Sequence, residues 1–251
     1  MEEKNFKLII SFLGKDFYGW QKQKNKKTIQ EEIESACKKI FNKEIKIIGC
    51  GRTDSKASGI NYIANLKVKT NLNSLNIKNG LNSYLPNSIY IKDVKEVEKD
   101  FHSRYSAKRK TYRYIISLKK TPFLTDLAYF IKDKIDIEKM KKASLLFIGK
   151  HDFKSFQSSG SNVKNTIREI YKITIKKKKF FIDEDVELII IDIEGSGFLY
   201  KMVRNIIGTL IYVGKGKIGL EEVYKIIESK NRKLAPPPVP AKGLYFKNAK
   251  Y

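Results

Sequence analysis

Apolar and polar positions alternate along this chain in two rhythms. Period two marks strands, and a period near 3.6 marks helices. Residues 7–12 read as a buried strand, followed by a polar loop over 14–27. Ile29, Ile33, Ala36, Cys37 and Ile40 then fall on one helical face. Thr28 precedes them and Glu31 follows three residues later, the pattern of a capping box. Strands are predicted over 45–48, 60–68 and 89–97, with a short helix over 75–81 that ends before Pro86. Beyond residue 101 the pattern gives a strand over 111–118 and a helix over 137–148. A hairpin of 170–182 and 186–194 turns about Asp183-Glu184-Asp185. A strongly apolar helix is predicted over 198–213, another over 220–229, and a last strand over 243–246.

Strands and helices mix here without strict βαβ alternation, so the predicted fold class is α+β with largely antiparallel sheet. The halves 1–104 and 105–251 each hold several strands and one or two helices, and no sequence repeat links them. The lysine run 176–179 reads as a solvated strand end.

Composition narrows the chemistry. With 251 residues, 41% of them hydrophobic, 14 Tyr and 14 Phe, the chain can bury a core and is not of the disordered class. Its longest apolar stretches, such as 206–213, are too short to span a bilayer. The Met-Glu-Glu-Lys start lacks the apolar run of a signal peptide, so a cytoplasmic protein is expected, with no membrane partner. Two cysteines, Cys37 and Cys50, make neither a disulfide framework nor a zinc site. Cys37 is expected to be a packed core residue. His102 and His151 leave little for a metal centre or a hydrolase triad. Carboxylates, hydroxyls and cations remain to carry any reaction.

The formal net charge is +24, from 51 Lys+Arg against 27 Asp+Glu, which points to a polyanionic partner. A general bias toward lysine explains part of that surplus. It explains the seven arginines less well, because six of them lie within or beside the motifs below. Arginine offers a planar fork that lysine cannot copy.

Three motifs stand out. Gly51-Arg52-Thr53-Asp54 follows Gly49-Cys50 and reads as a tight turn presenting Arg52 and Asp54. Residues 101–107 and 110–114 interleave aromatics and cations, a pattern suited to stacking on bases and meeting phosphates. Gly195-Ser196-Gly197 reads as a turn opening the apolar helix, with Arg204 about two turns in and a helix start able to meet phosphate. Alone, the tetrapeptide reads as a surface turn with an Arg–Asp pair, and the third segment also fits a buried core helix with a polar residue at its rim.

In this order, these segments closely resemble the tRNA pseudouridine synthase A (TruA) family, almost end to end. Phe17-Tyr18-Gly19-Trp20-Gln21 with Thr28-Ile29-Gln30 is similar to its N-terminal segment, and Gly51-Arg52-Thr53-Asp54 to its catalytic loop. Residues 101–107 and 109–114 resemble its central motif. Asp152-Phe153-Lys154-Ser155-Phe156, Arg168, residues 197–208, Ala235-Pro236 and Gly243-Leu244 resemble later ones.

The resemblance implies the pseudouridine synthase fold: two related α+β subdomains, helices flanking largely antiparallel sheets, and an active-site cleft between them. It implies isomerisation of uridine to pseudouridine in tRNA, at positions 38–40 of the anticodon stem-loop, by a homodimer without cofactor or metal. Asp54 is then the nucleophile, Arg204 its ion-pair partner, and Tyr112 the residue stacked on the uracil. Arg52 takes the place of the flipped base, Leu244 completes an apolar wall, and Arg104 and Arg168 contact the RNA.

The sequence departs from the family in two places. After the aspartate, the family commonly reads Ala-Gly-Val-His-Ala, and this chain reads Ser55-Lys56-Ala57-Ser58-Gly59. Where the family usually has Tyr-Asp-Gly-Ser, this chain has Phe12-Leu13-Gly14-Lys15. These departures leave two alternatives: a paralogue acting on another RNA such as ribosomal RNA, and a non-catalytic RNA-binding protein on the same fold. The intact Asp–Tyr–Arg set argues against the second, because pure RNA binding has no use for a carboxylate.

Overall fold

A computed structural model describes residues 2–161 and 163–251. The chain forms two compact units, one comprising the chain up to Lys108 together with Tyr245–Tyr251, the other Arg109–Leu244.

In the first unit, β1 (Glu3–Phe12) is the central strand of an antiparallel set. It pairs with β3 (Ser58–Lys69) on one side and β4 (Ile89–Val97) on the other. Strict alternation sends Phe6, Leu8 and Ile10 to one face, opposite Leu66, Ala64 and Tyr62 of β3, and all six are fully buried. Helix α1 (Ile29–Phe41) and helix α2 (Ser74–Tyr84) pack on each other, and α2 lies against β4. They bury Ile29, Ile33 and Cys37 from α1 and Ile77 and Leu81 from α2. Cys37 is therefore a core residue, as its place on the apolar face indicates, and burial pushes its thiol up to about 12. The short β2 (Ile48–Gly49) pairs with β3 at Asn65 and Ala64. At the other end of β3, Tyr245 and Phe246 of β10 (Leu244–Lys250) pair in parallel with Ser58 and Gly59.

The second unit is a sheet in the order β5-β9-β8-β7, antiparallel throughout: β5 (Arg109–Ser117), β9 (Glu187–Gly195), β8 (Ile167–Lys179) and β7 (Gly149–Asp152). The two-residue β6 (Tyr129–Phe130) adds a parallel pairing to β5. Helix α3 (Ile137–Ser144) contacts α4 (Met202–Gly214) and α5 (Leu220–Ser229). A small cluster of Leu124, Ala128, Phe180, Val186 and Leu188 fills the hairpin end. Lys176, Lys177, Lys178 and Lys179 are exposed at the end of β8, a solvated face as their run suggests. Among the described residues, no helix is long and apolar enough to cross a membrane.

The α+β class with largely antiparallel sheet follows the sequence pattern, although the helix expected over 137–148 ends at Ser144, and three further local expectations do not hold. The capping box at Thr28 is not formed: its backbone is extended as an N-cap requires, yet its side chain makes no capping bond and its Oγ1 is buried without a partner. The first two amides of α1 are already taken, Ile29 N donating to Gly19 O (3.2 Å) and Gln30 N to Trp20 O (3.0 Å). Second, the strand expected over 45–48 shrinks to β2. Third, the apolar helix begins at Met202 rather than near residue 198, so the glycine-rich turn does not open it. Lys201 at φ +57° marks the break. The Ser196 amide still donates across to Glu169 O (2.9 Å), continuing the sheet rather than facing a ligand.

Candidate active site

Asp54 and Arg52 share one turn of the first unit, and that turn is anchored on both sides. Upstream, Cys50 N donates to Ile63 O (2.9 Å). The Tyr62 hydroxyl both accepts from Gly51 N (3.3 Å) and donates to Gly51 O. Downstream, the Phe17 carbonyl accepts from Lys56 N (3.1 Å) and from the Ser55 hydroxyl (3.3 Å). Ala57 N closes the turn on Asp54 O (3.1 Å), and the buried Ser58 hydroxyl accepts from Gly14 N (3.0 Å). Asp54 is half-buried and Arg52 exposed, with Arg52 Nε donating to Gln21 Oε1 at 3.2 Å.

The loop before α1 backs this turn directly. Gly19 adopts φ +91°, and a Cβ there would strike the Thr53 carbonyl oxygen and stand 3.2 Å from the Asp54 carbonyl carbon. The Gly19 and Trp20 carbonyls cap α1 while the Trp20 ring stacks on Tyr62, centroids 4.1 Å apart. Residues 17–21 thus connect the turn carrying Arg52 and Asp54, the start of α1 and the core of β3.

The departing residues are fitted to their places. Lys56 holds φ +67°, the left-handed conformation natural to the glycine the family has there. Gly59 lies against the Phe12 ring, where a Cβ would come within 2.5 Å of Phe12 Cε1. The two departures, at residue 12 and residue 59, therefore meet in space.

Arg104 is exposed, with its guanidinium 5.5 Å from the centre of the 75% exposed Tyr105 ring. His102 Nδ1 accepts from Arg104 N (3.2 Å) and Tyr105 N (3.3 Å), so this histidine shapes its own loop. Ser103 is fully buried; its hydroxyl donates to Ile48 O (2.6 Å) and its amide donates to Asn65 Oδ1 (2.9 Å), joining the motif to β2 and β3.

In the second unit, Tyr112 is half-buried on β5 with the Phe198 ring edge-on at 5.2 Å, so the central motif and the segment before α4 are in contact. Arg204 lies in the first turn of α4, not two turns in, because the helix starts later than its pattern suggests. Its Nε donates to Val239 O (2.7 Å), and Val239 N donates to Arg204 O (3.3 Å). The chain then passes Pro240, whose carbonyl accepts from the buried Tyr114 hydroxyl (2.8 Å), and reaches Leu244, which is buried. Burial holds the Tyr114 phenol well above its ordinary range. Arg168 is half-buried and turned onto its own loop, Nη1 donating to Asn165 O (3.0 Å) and Ile167 O (2.6 Å). Burial lowers its pKa below the usual arginine value.

Two arginines of the central motif are engaged by carboxylates. Arg113 makes a two-pronged pair with Asp192 (2.8 and 2.9 Å), whose hydrogen bond raises the guanidinium pKa. Arg109 pairs with Glu194 at 3.1 Å and lies 4.4 Å from the Tyr171 ring centre. Arg232 reaches the Ala235 and Pro236 carbonyls and the buried Asn205 amide oxygen, tying α4 to the proline segment. The geometric demand for arginine at these three positions is structural. Sequence reasoning passed over Tyr62, and gave Gly19 and Asn205 no role beyond their place in a motif. The available signal for Tyr62 was a phenol at an inward position of β3, where a buried hydroxyl must find partners.

A family profile described as tRNA pseudouridine synthase matches residues 8–106 and 143–251. A protein named tRNA pseudouridine synthase A from Thermoanaerobacter sp. (strain X514) is 43% identical over 97% of this chain and 98% of its own. One of the same name from Acetivibrio thermocellus is 41% identical over 99% of this chain and 100% of its own. A Clostridium perfringens protein named tRNA pseudouridine synthase A 2 is also 41% identical, with the same coverage.

Proposed function

The chain belongs to the tRNA pseudouridine synthase family, and from that membership we infer that it isomerises uridine to pseudouridine in tRNA, with Asp54 as nucleophile. The observation that supports Asp54 most is its setting: a half-buried carboxylate on a turn held from both sides, beside an exposed arginine. A carboxylate presented to RNA is electrostatically unfavourable unless it acts on the substrate.

In this reading the target nucleotide flips out of its stack and Arg52 takes its place. Asp54 attacks the nucleotide at its sugar, or takes a proton from it, and the C1′–N1 bond breaks. The uracil turns and C5 bonds to C1′, which releases the Asp54 carboxylate or is accompanied by return of the sugar proton it took, and the proton released from C5 balances the one gained at N1. No electrons are gained or lost, so the step calls for no redox partner. Tyr112 stacks on the uracil and assists the proton transfer at C5. By the family resemblance, Arg204 is the ion-pair partner of Asp54, Leu244 supplies an apolar wall, and Arg104 and Arg168 contact the RNA. The proposed target is uridines 38–40 of the anticodon stem-loop, and the proposed assembly is a cytoplasmic homodimer, both resting on the family resemblance.

The test is pseudouridine formation on tRNA transcripts, read by carbodiimide-blocked reverse transcription. Wild-type protein should mark the anticodon stem-loop. Asp54→Asn should abolish turnover while RNA affinity stays within about threefold, since the uncharged amide cannot serve as nucleophile. Retained turnover in that variant overturns the assignment of Asp54. Modification of ribosomal RNA alone overturns the substrate.

A further inference from the structure

We infer that Tyr62 is a positioning residue for the catalytic turn, acting through the peptide groups of Gly51. The inference rests on the reading of Asp54 as nucleophile and goes beyond it.

Tyr62 is fully buried on the inward face of β3, where its hydroxyl must be paired. Two bonds of that hydroxyl go to one residue. It accepts from Gly51 N at 3.3 Å and donates to Gly51 O. Fixing the donor and the acceptor of one residue sets the orientation of both its peptide planes. Gly51 is the residue immediately before Arg52 and three before Asp54. The phenol therefore sets the direction in which the turn leaves the sheet.

The ring itself has little room to move. Trp20 stacks on it at 4.1 Å and 28°, while Phe12 (5.6 Å) and Phe246 (5.1 Å) meet it edge-on. Gly49 is shaped to this arrangement: a Cβ there would strike the Tyr62 hydroxyl and come within 2.5 Å of the Trp20 ring. Trp20 belongs to the segment whose Gly19 backs Thr53 and Asp54, so the stack joins the upstream anchor to the support behind the turn.

A packing role alone would be filled equally well by phenylalanine, which keeps the ring and removes only the hydroxyl. Tyr62→Phe is thus the discriminating variant. Its kcat for pseudouridine formation should fall by about tenfold or more, because sub-ångström misplacement of a reacting group is costly. The KM for tRNA should stay within about threefold, since the deletion touches no phosphate contact. Native-state amide exchange should accelerate over residues 51–54 and remain unchanged in α1 and β1. Wild-type kcat in Tyr62→Phe, a change confined to KM, or unaltered exchange over 51–54 each overturns the inference. If the wild-type chain forms no pseudouridine, the functional reading fails separately, and the exchange data still decide whether Tyr62 holds the turn.

Discussion

At the scale of single residues, Lys56 carries a measurable cost. Left-handed backbone brings the Cβ of an L-residue against its own carbonyl, at roughly 1–2 kcal/mol, and Lys56 sits at φ +67°. Glycine escapes that cost but gives back part of it through its greater freedom when unfolded. Lys56→Gly should therefore stabilise the protein by about 0.5–1 kcal/mol, read as a rise in the urea midpoint at constant m-value. A fall in the midpoint would show that the lysine side chain contributes more than its backbone costs. The sequence made Lys56 legible as a departure from the family, but not as a strained position, because φ is set by Lys56 N and Ser55 Oγ both reaching Phe17 O. Asp54 was legible as a candidate because its neighbours in sequence form the motif. Tyr62 was not, because the bonds that give it a role run to a residue 11 positions away.

At the scale of elements, α4 shows how tertiary packing reverses a propensity. Glycine inside a helix is ordinarily worse than alanine by about 1 kcal/mol. Gly208 sits in the middle of α4, where an added Cβ would strike the Pro237 carbonyl oxygen and stand 3.5 Å from the Pro237 carbonyl carbon. Rigid backbone cannot yield as a side-chain end can, so overpacking should outweigh propensity. Gly208→Ala should destabilise by about 1–3 kcal/mol and lower turnover, because the displaced segment includes Val239, which accepts from Arg204 Nε. Greater stability in that variant would mean the proline segment moves freely over α4. The period of 3.6 correctly located this helix and its apolar character, yet placed its start four residues early. Phe198 and Leu199 continue the apolar pattern, but the backbone becomes helical only after the left-handed Lys201. In the same way, Thr28 and Glu31 carried the letters of a capping box, while the carbonyls that cap α1 come from Gly19 and Trp20. Such substitutions of a distant partner for a local one are invisible to a window of neighbours.

At the scale of the whole molecule, the +24 charge governs how RNA binding responds to salt, but the arginines do not contribute equally. Each phosphate neutralised releases counterions and adds about 0.7–0.9 to the slope of log affinity against log salt. Contacting several phosphates, the protein should show a slope of roughly −3 or steeper between about 50 and 200 mM monovalent salt. The composition supports that slope without saying which cations produce it, and the ion pairs supply the distinction. Arg113 is held in a two-pronged pair by Asp192, so its charge is already matched. Arg104 is exposed beside Tyr105, where a guanidinium and an aromatic face can meet a phosphate and a base together. Arg104→Ala should therefore reduce the slope by about one phosphate's share and weaken binding at low salt. Arg113→Gln should leave the slope unchanged and lower thermal stability instead, because it strands the half-buried Asp192 opposite an uncharged amide. Fluorescence anisotropy of a labelled anticodon stem-loop, titrated at several salt concentrations, gives all three slopes. Equal reductions in both variants would mean that the Arg113–Asp192 pair opens to receive RNA, and that the charge surplus acts as one undivided field.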